Sequence, residues 1–134
     1  MSSVSPFILT LGIVLSLSHL SACQNWPAFQ AKHITGSSNI DCITVMNQPL
    51  FHVRGRCKSL NTFIHSSAPS VQAICSSVTG NRDVTSSTSF RLTNCFRASD
   101  MKPPCPYNRR PETNVICIRC ENRLPVHFVK VGRC

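Results

Sequence analysis

Apolar and polar positions divide the chain into two unequal parts. Residues 7–20 (FILTLGIVLSLSHL) are mostly apolar, and residues 1–23 contain no Asp, Glu, Lys or Arg. This run is short for a membrane span, which needs about 20 apolar residues. It suits the apolar core of a secretory signal peptide and ends in small residues at Ser21-Ala22-Cys23. The expected organisation is a secretory signal over 1–23 and a mature domain over 24–134, secreted and starting at Gln24. One feature dissents: MSSVSP, ahead of the apolar core, holds no basic residue. A retained membrane anchor is the alternative.

Beyond residue 23 the pattern becomes periodic. Over 25–34, Trp26, Phe29 and Ile34 give a helix an apolar side, and Pro27 suits a first turn. His33 follows Phe29 by four residues and shares its face. Residues 36–39 form a loop. A second short helix is predicted over 41–46, capped by Asn39 or Asp41, and a third over 70–77, entered through Pro69. Arg54-Gly55-Arg56 is a basic turn. Alternation and β-rich composition predict strands at 61–65, along 83–96, from Cys105 onward, at 114–120 and at 126–131. Helices first and strands later indicate an α+β fold.

Charge and cysteines narrow the class. Fourteen Lys and Arg stand against five Asp and Glu, a net charge of +9. That favours polyanionic partners, among them nucleic acid, anionic glycans and membrane surfaces, without choosing between them. The chain has nine cysteines. Cleavage after Cys23 leaves an even set: Cys42, Cys57, Cys75, Cys95, Cys105, Cys117, Cys120 and Cys134. In a short secreted chain this reads as a disulfide framework, whose pairing cysteine arithmetic cannot assign. Cys117-Ile-Arg-Cys120 lacks the second CxxC or HxxxH that zinc would need. Residues three apart on a strand also face opposite ways, so the two thiols are expected to reach different partners. Neither metal nor cofactor is expected.

Four histidines follow the signal segment. His52 lies in a basic loop and reads as a surface or packed structural residue. His65 ends a strand and reads as buried and hydrogen-bonded. His33 and His127 stand apart because of their surroundings: Phe29-Gln-Ala-Lys-His33-Ile, Cys57-Lys58-Ser-Leu-Asn61-Thr62-Phe63 and Pro125-Val126-His127-Phe128. In that order and spacing these segments resemble the pancreatic-type ribonucleases, for which CKxxNTF is a signature. The start QNWPAFQAKHIT, the stretch CENRLPVHF and the terminal Cys134 are similar to the frog branch, which includes onconase and the sialic-acid-binding egg lectins. The resemblance spans residues 24–134. It implies three short helices on a bent antiparallel sheet with a central cleft.

It also implies a metal-independent reaction on single-stranded RNA. RNA carries a 2′-hydroxyl beside each phosphodiester, and DNA does not. A base removes that proton, the oxygen attacks phosphorus, and the 5′-oxygen leaves protonated, giving a 2′,3′-cyclic phosphate. Two imidazoles in opposite protonation states can do this. By resemblance His33 is the base, His127 the acid and Lys58 the fixed cation on the phosphoryl oxygens, with the backbone N–H of Phe128 as a second donor. Thr62 reads the pyrimidine edge, Phe128 stacks on the base, and Asn61 belongs to the substrate site. Lys32 and a cyclised Gln24 lie close to the phosphate, although Lys32 reads nearly as well as a solvated helix charge. Arg54, Arg56 and Arg123 are either contacts to flanking phosphates or plain surface charge.

The implied disulfides are Cys42–Cys95, Cys57–Cys105, Cys75–Cys120 and Cys117–Cys134. Val129 stands where mammalian members carry an acidic residue orienting the imidazole, and Asn94 where many relatives carry Asp beside Thr62. Residues 47–56 form a longer loop than in onconase. The expected partner is single-stranded RNA, with DNA excluded, and the chain acts as a monomer with a cytotoxic or host-defence role. The competing reading is a binding protein for sialylated glycans or anionic cell surfaces, with incidental catalysis.

Overall fold

The computed structural model describes residues 25–97 and 102–134; the expected signal segment and Gln24 lie outside the described residues. Helix α1 (Trp26–His33) starts where Asn25 Oδ1 accepts from the Ala28 N–H at 2.9 Å. Pro27 sits in the first turn, where its missing N–H costs nothing. The chain then extends as β1 (Ile34–Thr35), parallel to β4 (Leu60–His65). Helix α2 (Cys42–Met46) is capped by Asp41, which accepts from the Thr44 N–H at 3.3 Å and so decides between the two expected caps. Helix α3 (Ala68–Gln72) begins two residues before the expected start. The hydroxyl of Ser67 caps it, so Pro69 lies inside the first turn, and a 3₁₀ turn (Ala73–Cys75) ends it.

Two sheets build the cleft. One has the order β1-β4-β6-β7, with β6 (Phe90–Phe96) and β7 (Asn108–Asn114). The other runs β5-β8-β9, with β5 (Arg82–Thr85), β8 (Ile116–Glu121) and β9 (Leu124–Val131). The segment expected as one run over 83–96 is therefore two strands in different sheets. Between them Ser86 turns the chain: its Oγ donates to the Thr88 carbonyl at 2.7 Å and accepts from the Ile116 N–H at 3.0 Å. The hydroxyl stands in for one ladder carbonyl while the Ser86 N–H still donates to the Ile116 carbonyl at 2.9 Å, so strand-like composition continues across the break. Two hairpins turn on pairs of positive-φ residues, as tight hairpins require. Arg54 and Gly55 join β2 (His52–Val53) to β3 (Arg56–Cys57), and Asn122 and Arg123 join β8 to β9.

Hydrophobic burial is divided between two clusters. Phe29, Ile64, Val71, Leu92, Ile116 and Ile118 fill the first, beneath α1 and α3. Ile40, Met46, Phe51, Phe63 and Tyr107 fill the second, beneath α2. Cys75–Cys120 staples the first, while Cys42–Cys95 and Cys57–Cys105 staple the second. Cys117 pairs with Cys134. The two CxxC thiols thus reach different partners, but strict alternation is not what parts them. Register shifts interrupt β8 on both sides of Ile118 and Arg119, and Cys117, Ile118 and Cys120 are all buried. No helix among the described residues is long and apolar enough to cross a membrane.

The Cys117–Cys134 bond spans 17 residues and ties the chain end to the sheet that carries His127. Closing a loop of that size is worth about 3 kcal/mol in the chain-entropy treatment. Cys134→Ala is expected to lower the melting temperature by roughly 10–20 °C for a domain of this length. Thermal unfolding followed by circular dichroism reads this directly, and an unchanged midpoint would overturn the pairing.

Candidate active site

α1, the short connection from β3 to β4 and the middle of β9 meet around a cavity of about 220 Å³. Ala28, Phe29, Lys32, His33, Lys58, Val126, His127 and Phe128 line it. Segments far apart in sequence are thus brought together, the two histidines on helix and strand and Lys58 on a connection tied at Cys57 by a disulfide.

His33 is 8% exposed. Its Nδ1 lies 2.9 Å from the Thr62 carbonyl oxygen. A carbonyl only accepts, so Nδ1 carries the proton and Nε2 is the basic nitrogen of the neutral ring. The ring lies between Phe29 and Phe128, with centroids 5.1 Å away on each side. Burial disfavours its charged form, and Lys58, His127 and Lys32 repel a further positive charge. Against the opposing pull of the Thr62 carbonyl, its pKa falls from 6.5 to about 3.

Lys58 is half-buried and donates from Nζ to Asn61 Oδ1 at 2.9 Å. Asn61 in turn donates from Nδ2 to the Lys32 carbonyl at 2.8 Å. Both ends of this buried amide are engaged inside the protein, and Asn61 does not line the cavity. The side chain positions Lys58 against the end of α1. The Lys58 backbone is also fixed, because its carbonyl accepts from the Tyr107 hydroxyl at 2.5 Å and the Cys57 carbonyl accepts from Arg97. Burial first, and Lys32 second, lower the Lys58 pKa.

His127 is exposed on β9, opposite Arg119 of β8. Its pKa lies below 6.5 because of desolvation and the nearby Lys58, while Asp83 acts the other way. Asp83, on another strand, is thus the acidic group whose charge bears on His127. Asp83 was not singled out in the sequence because it reaches the site through the β5–β8 pairing, where it stands opposite Arg119. Arg119 holds Asp83 at 3.6 Å and Glu121 at 3.2 Å.

Thr62 is buried behind His33, outside the cavity lining, and its Oγ1 lies 2.7 Å from Asn94 Oδ1. Phe128 lines the cavity, packs on the first core cluster and stacks on His33 at 22°. Lys32 faces this cavity and also an adjoining one of about 80 Å³ lined by Leu50, Phe51, His52, Val53 and Lys58. His52, expected in a basic loop, lies instead on a short strand. It sits on β2 opposite Cys57, half-buried near both lysines, with Nε2 buried and without a hydrogen-bond partner. Its placement follows from the Arg54-Gly55 turn, which was read only as a basic turn. Arg54 and Arg123 stand exposed at the two hairpin tips, and Arg56 beside the first. His65 bridges the Ser37 carbonyl (2.7 Å) and Thr93 Oγ1 (2.6 Å), a structural role.

A buried neutral imidazole, an exposed imidazole and two ammonium groups around one cavity can together hold an anion between a base and an acid. Residues 24–129 match the family described as pancreatic ribonuclease. The chain is 52% identical over 127 residues to an oocyte ribonuclease of Aquarana catesbeiana, covering 95% of each. It superposes with a TM-score of 0.72 on amphinase, a cytotoxic ribonuclease from Rana pipiens oocytes, at 41% identity, covering 81% of this chain and 98% of that one. A cytotoxic ribonuclease from Rana catesbeiana, solved with d(ApCpGpA) and 2′,5′-CpG, also superposes with a TM-score of 0.72. It is 40% identical and covers 82% of this chain and 98% of its own. The fold is that of a pancreatic-type ribonuclease. The chain belongs to the pancreatic ribonuclease family and stands among the frog ribonucleases within it.

Proposed function

We propose that the mature chain is a secreted endoribonuclease that cuts single-stranded RNA after pyrimidines through a 2′,3′-cyclic phosphate, with a cytotoxic or host-defence role. The observation that carries the mechanism is the His33 tautomer. Its Nδ1–H is committed to the Thr62 carbonyl, so Nε2 is a lone-pair base lining the same cavity as His127 and Lys58. Nε2 takes the 2′-hydroxyl proton, and the 2′-oxygen forms a bond to phosphorus. The bond from phosphorus to the 5′-oxygen breaks, and that oxygen leaves with the proton of His127. Lys58, oriented by Asn61, balances charge on the non-bridging oxygens, with Lys32 beside it. Hydrolysis of the cyclic phosphate runs through the same groups in reverse, with water replacing the leaving alcohol. The backbone N–H of Thr62 and its hydroxyl read the base, and Phe128 supplies an apolar wall.

Secretion rests on the apolar segment before Gln24, and pyroglutamate formation at Gln24 follows from cleavage there. The excess of cations attracts the phosphate backbone. Lack of a 2′-hydroxyl removes DNA as a substrate but not as a ligand, in keeping with the relative solved with d(ApCpGpA).

Digestion of defined dinucleotides by the mature protein with excess EDTA tests this reading. The expected products are a pyrimidine 2′,3′-cyclic phosphate, seen by ³¹P NMR, and a free 5′-hydroxyl, with deoxydinucleotides uncut. Loss of cleavage in EDTA, or equal cutting of the deoxy substrate, would remove the mechanism.

A further inference from the structure

Thr62, Asn94 and Glu112 lie on one face of the first sheet. Thr62 pairs with Asn94 across β4 and β6, and Glu112, which pairs with Leu92, is diagonal to Asn94 across β6 and β7. Thr62 Oγ1 stands 2.7 Å from Asn94 Oδ1, and Asn94 Nδ2 stands 2.6 Å from Glu112 Oε2. Asn94 is 1% exposed, so this short chain is shielded from water at its centre.

The direction of each bond follows from the inventory of donors. A carboxylate only accepts, so the Asn94 amide must turn its nitrogen toward Glu112. That leaves Asn94 Oδ1 facing Thr62, and an amide oxygen also only accepts. The single proton of the Thr62 hydroxyl is therefore committed to Asn94, and only lone pairs remain for a bound base. Uracil offers an N3–H donor at this edge, whereas cytosine offers an N3 lone pair. A free asparagine could turn its amide over and serve both bases, donating to Thr62 while Thr62 donates to cytosine. With Glu112 in place, the turned amide would set its oxygen against a carboxylate oxygen at hydrogen-bond distance.

We propose that Glu112, acting through Asn94, fixes the Thr62 hydroxyl as an acceptor toward the base and thereby biases cleavage toward uracil over cytosine. This rests on the reading of Thr62 as the base-contacting residue. Glu112 is a positioning residue: it does not line the catalytic cavity, and its effect passes through two side chains. Arg110 reaches the same carboxylate oxygen at 4.0 Å and lies over the Phe96 ring, so the carboxylate is held from its other side.

The test is the ratio of kcat/KM for UpA to that for CpA in wild type, Glu112→Ala, Glu112→Gln and the double variant Asn94→Asp/Glu112→Ala. Removing the lock is expected to lower the ratio about three- to tenfold, the range of one neutral hydrogen bond. Glutamine keeps the shape of Glu112 but can donate as well as accept, so it lowers the ratio too and guards against a packing effect. In the double variant the aspartate can only accept from Thr62, and the wild-type ratio is expected to return. A ratio within twofold of wild type in both single variants, or no recovery in the double variant, overturns the proposal. Cleavage of ApA as fast as UpA by the wild type overturns the base-reading role of Thr62 itself. An unmoved ratio with ApA uncut overturns the Glu112 assignment alone.

Discussion

Removing either imidazole is expected to slow RNA cleavage by at least about 10²–10⁴-fold, the usual worth of a positioned acid or base. The two sites call for different substitutions. His127 is exposed, so His127→Ala removes the proton for the leaving oxygen at little cost to packing. His33 is buried between Phe29 and Phe128, and alanine there would open a void and leave the Thr62 carbonyl without its donor. His33→Asn is the cleaner probe, because its amide can still donate to Thr62 while offering no basic nitrogen. Both variants should keep the wild-type circular dichroism spectrum. Both should lose kcat far more than KM, since the lost interactions belong to the transition state. Wild-type cleavage rates in both folded variants would end the acid/base assignment. If they are inactive yet still agglutinate or kill cells, the glycan- or surface-binding reading accounts for the biology.

The parts of this site that were legible in the sequence are those whose identity is chemical. His33, Lys58 and His127 sit in short segments whose order is distinctive, and the structure gathers all three around one cavity. α1 was legible because Trp26, Phe29 and His33 fall at helical spacing and Pro27 suits a first turn. The rest depended on pairings between strands, which no local pattern displays. Asp83 influences His127 through β5 and β8, and His52 reaches the lysines because a two-residue turn folds β2 onto β3. The crossing at Ser86 was hidden because serine and threonine suit strands and turns alike. Asn61 was placed in this cluster by its motif, without a contact. Membership of a signature does not say which way an amide points, and here it faces Lys58 and the α1 backbone.

The pH dependence of kcat/KM is expected to lie further into acid than two ordinary imidazoles would put it. Unperturbed histidines titrate near 6.5, which would place the optimum in the mildly acidic to neutral range. The structure separates the two groups. The rate needs His33 neutral, and burial pushes its pKa down to about 3, so this requirement is already met well below pH 5. The rate also needs His127 charged, and desolvation with Lys58 lowers its pKa below 6.5, so this requirement fails sooner as pH rises. The product is a broad acidic plateau followed by a tenfold loss per pH unit once His127 gives up its proton, a fall that begins below pH 6.5. A bound phosphodiester adds negative charge beside both rings, raises both values and moves the kcat profile upward relative to kcat/KM. The same burial has a stability counterpart. Between pH 6.5 and about 3 the unfolded chain protonates this histidine and the folded one does not. Stability therefore falls as pH drops through that window, by up to about 1.4 kcal/mol per unit. Denaturant titrations at each pH separate loss of fold from protonation of the base, and His33→Asn should flatten their dependence on pH. A kcat/KM that climbs steadily from pH 4 to 7 in folded protein would mean that His33 titrates near its ordinary value, and that its buried, neutral state is not the state that acts.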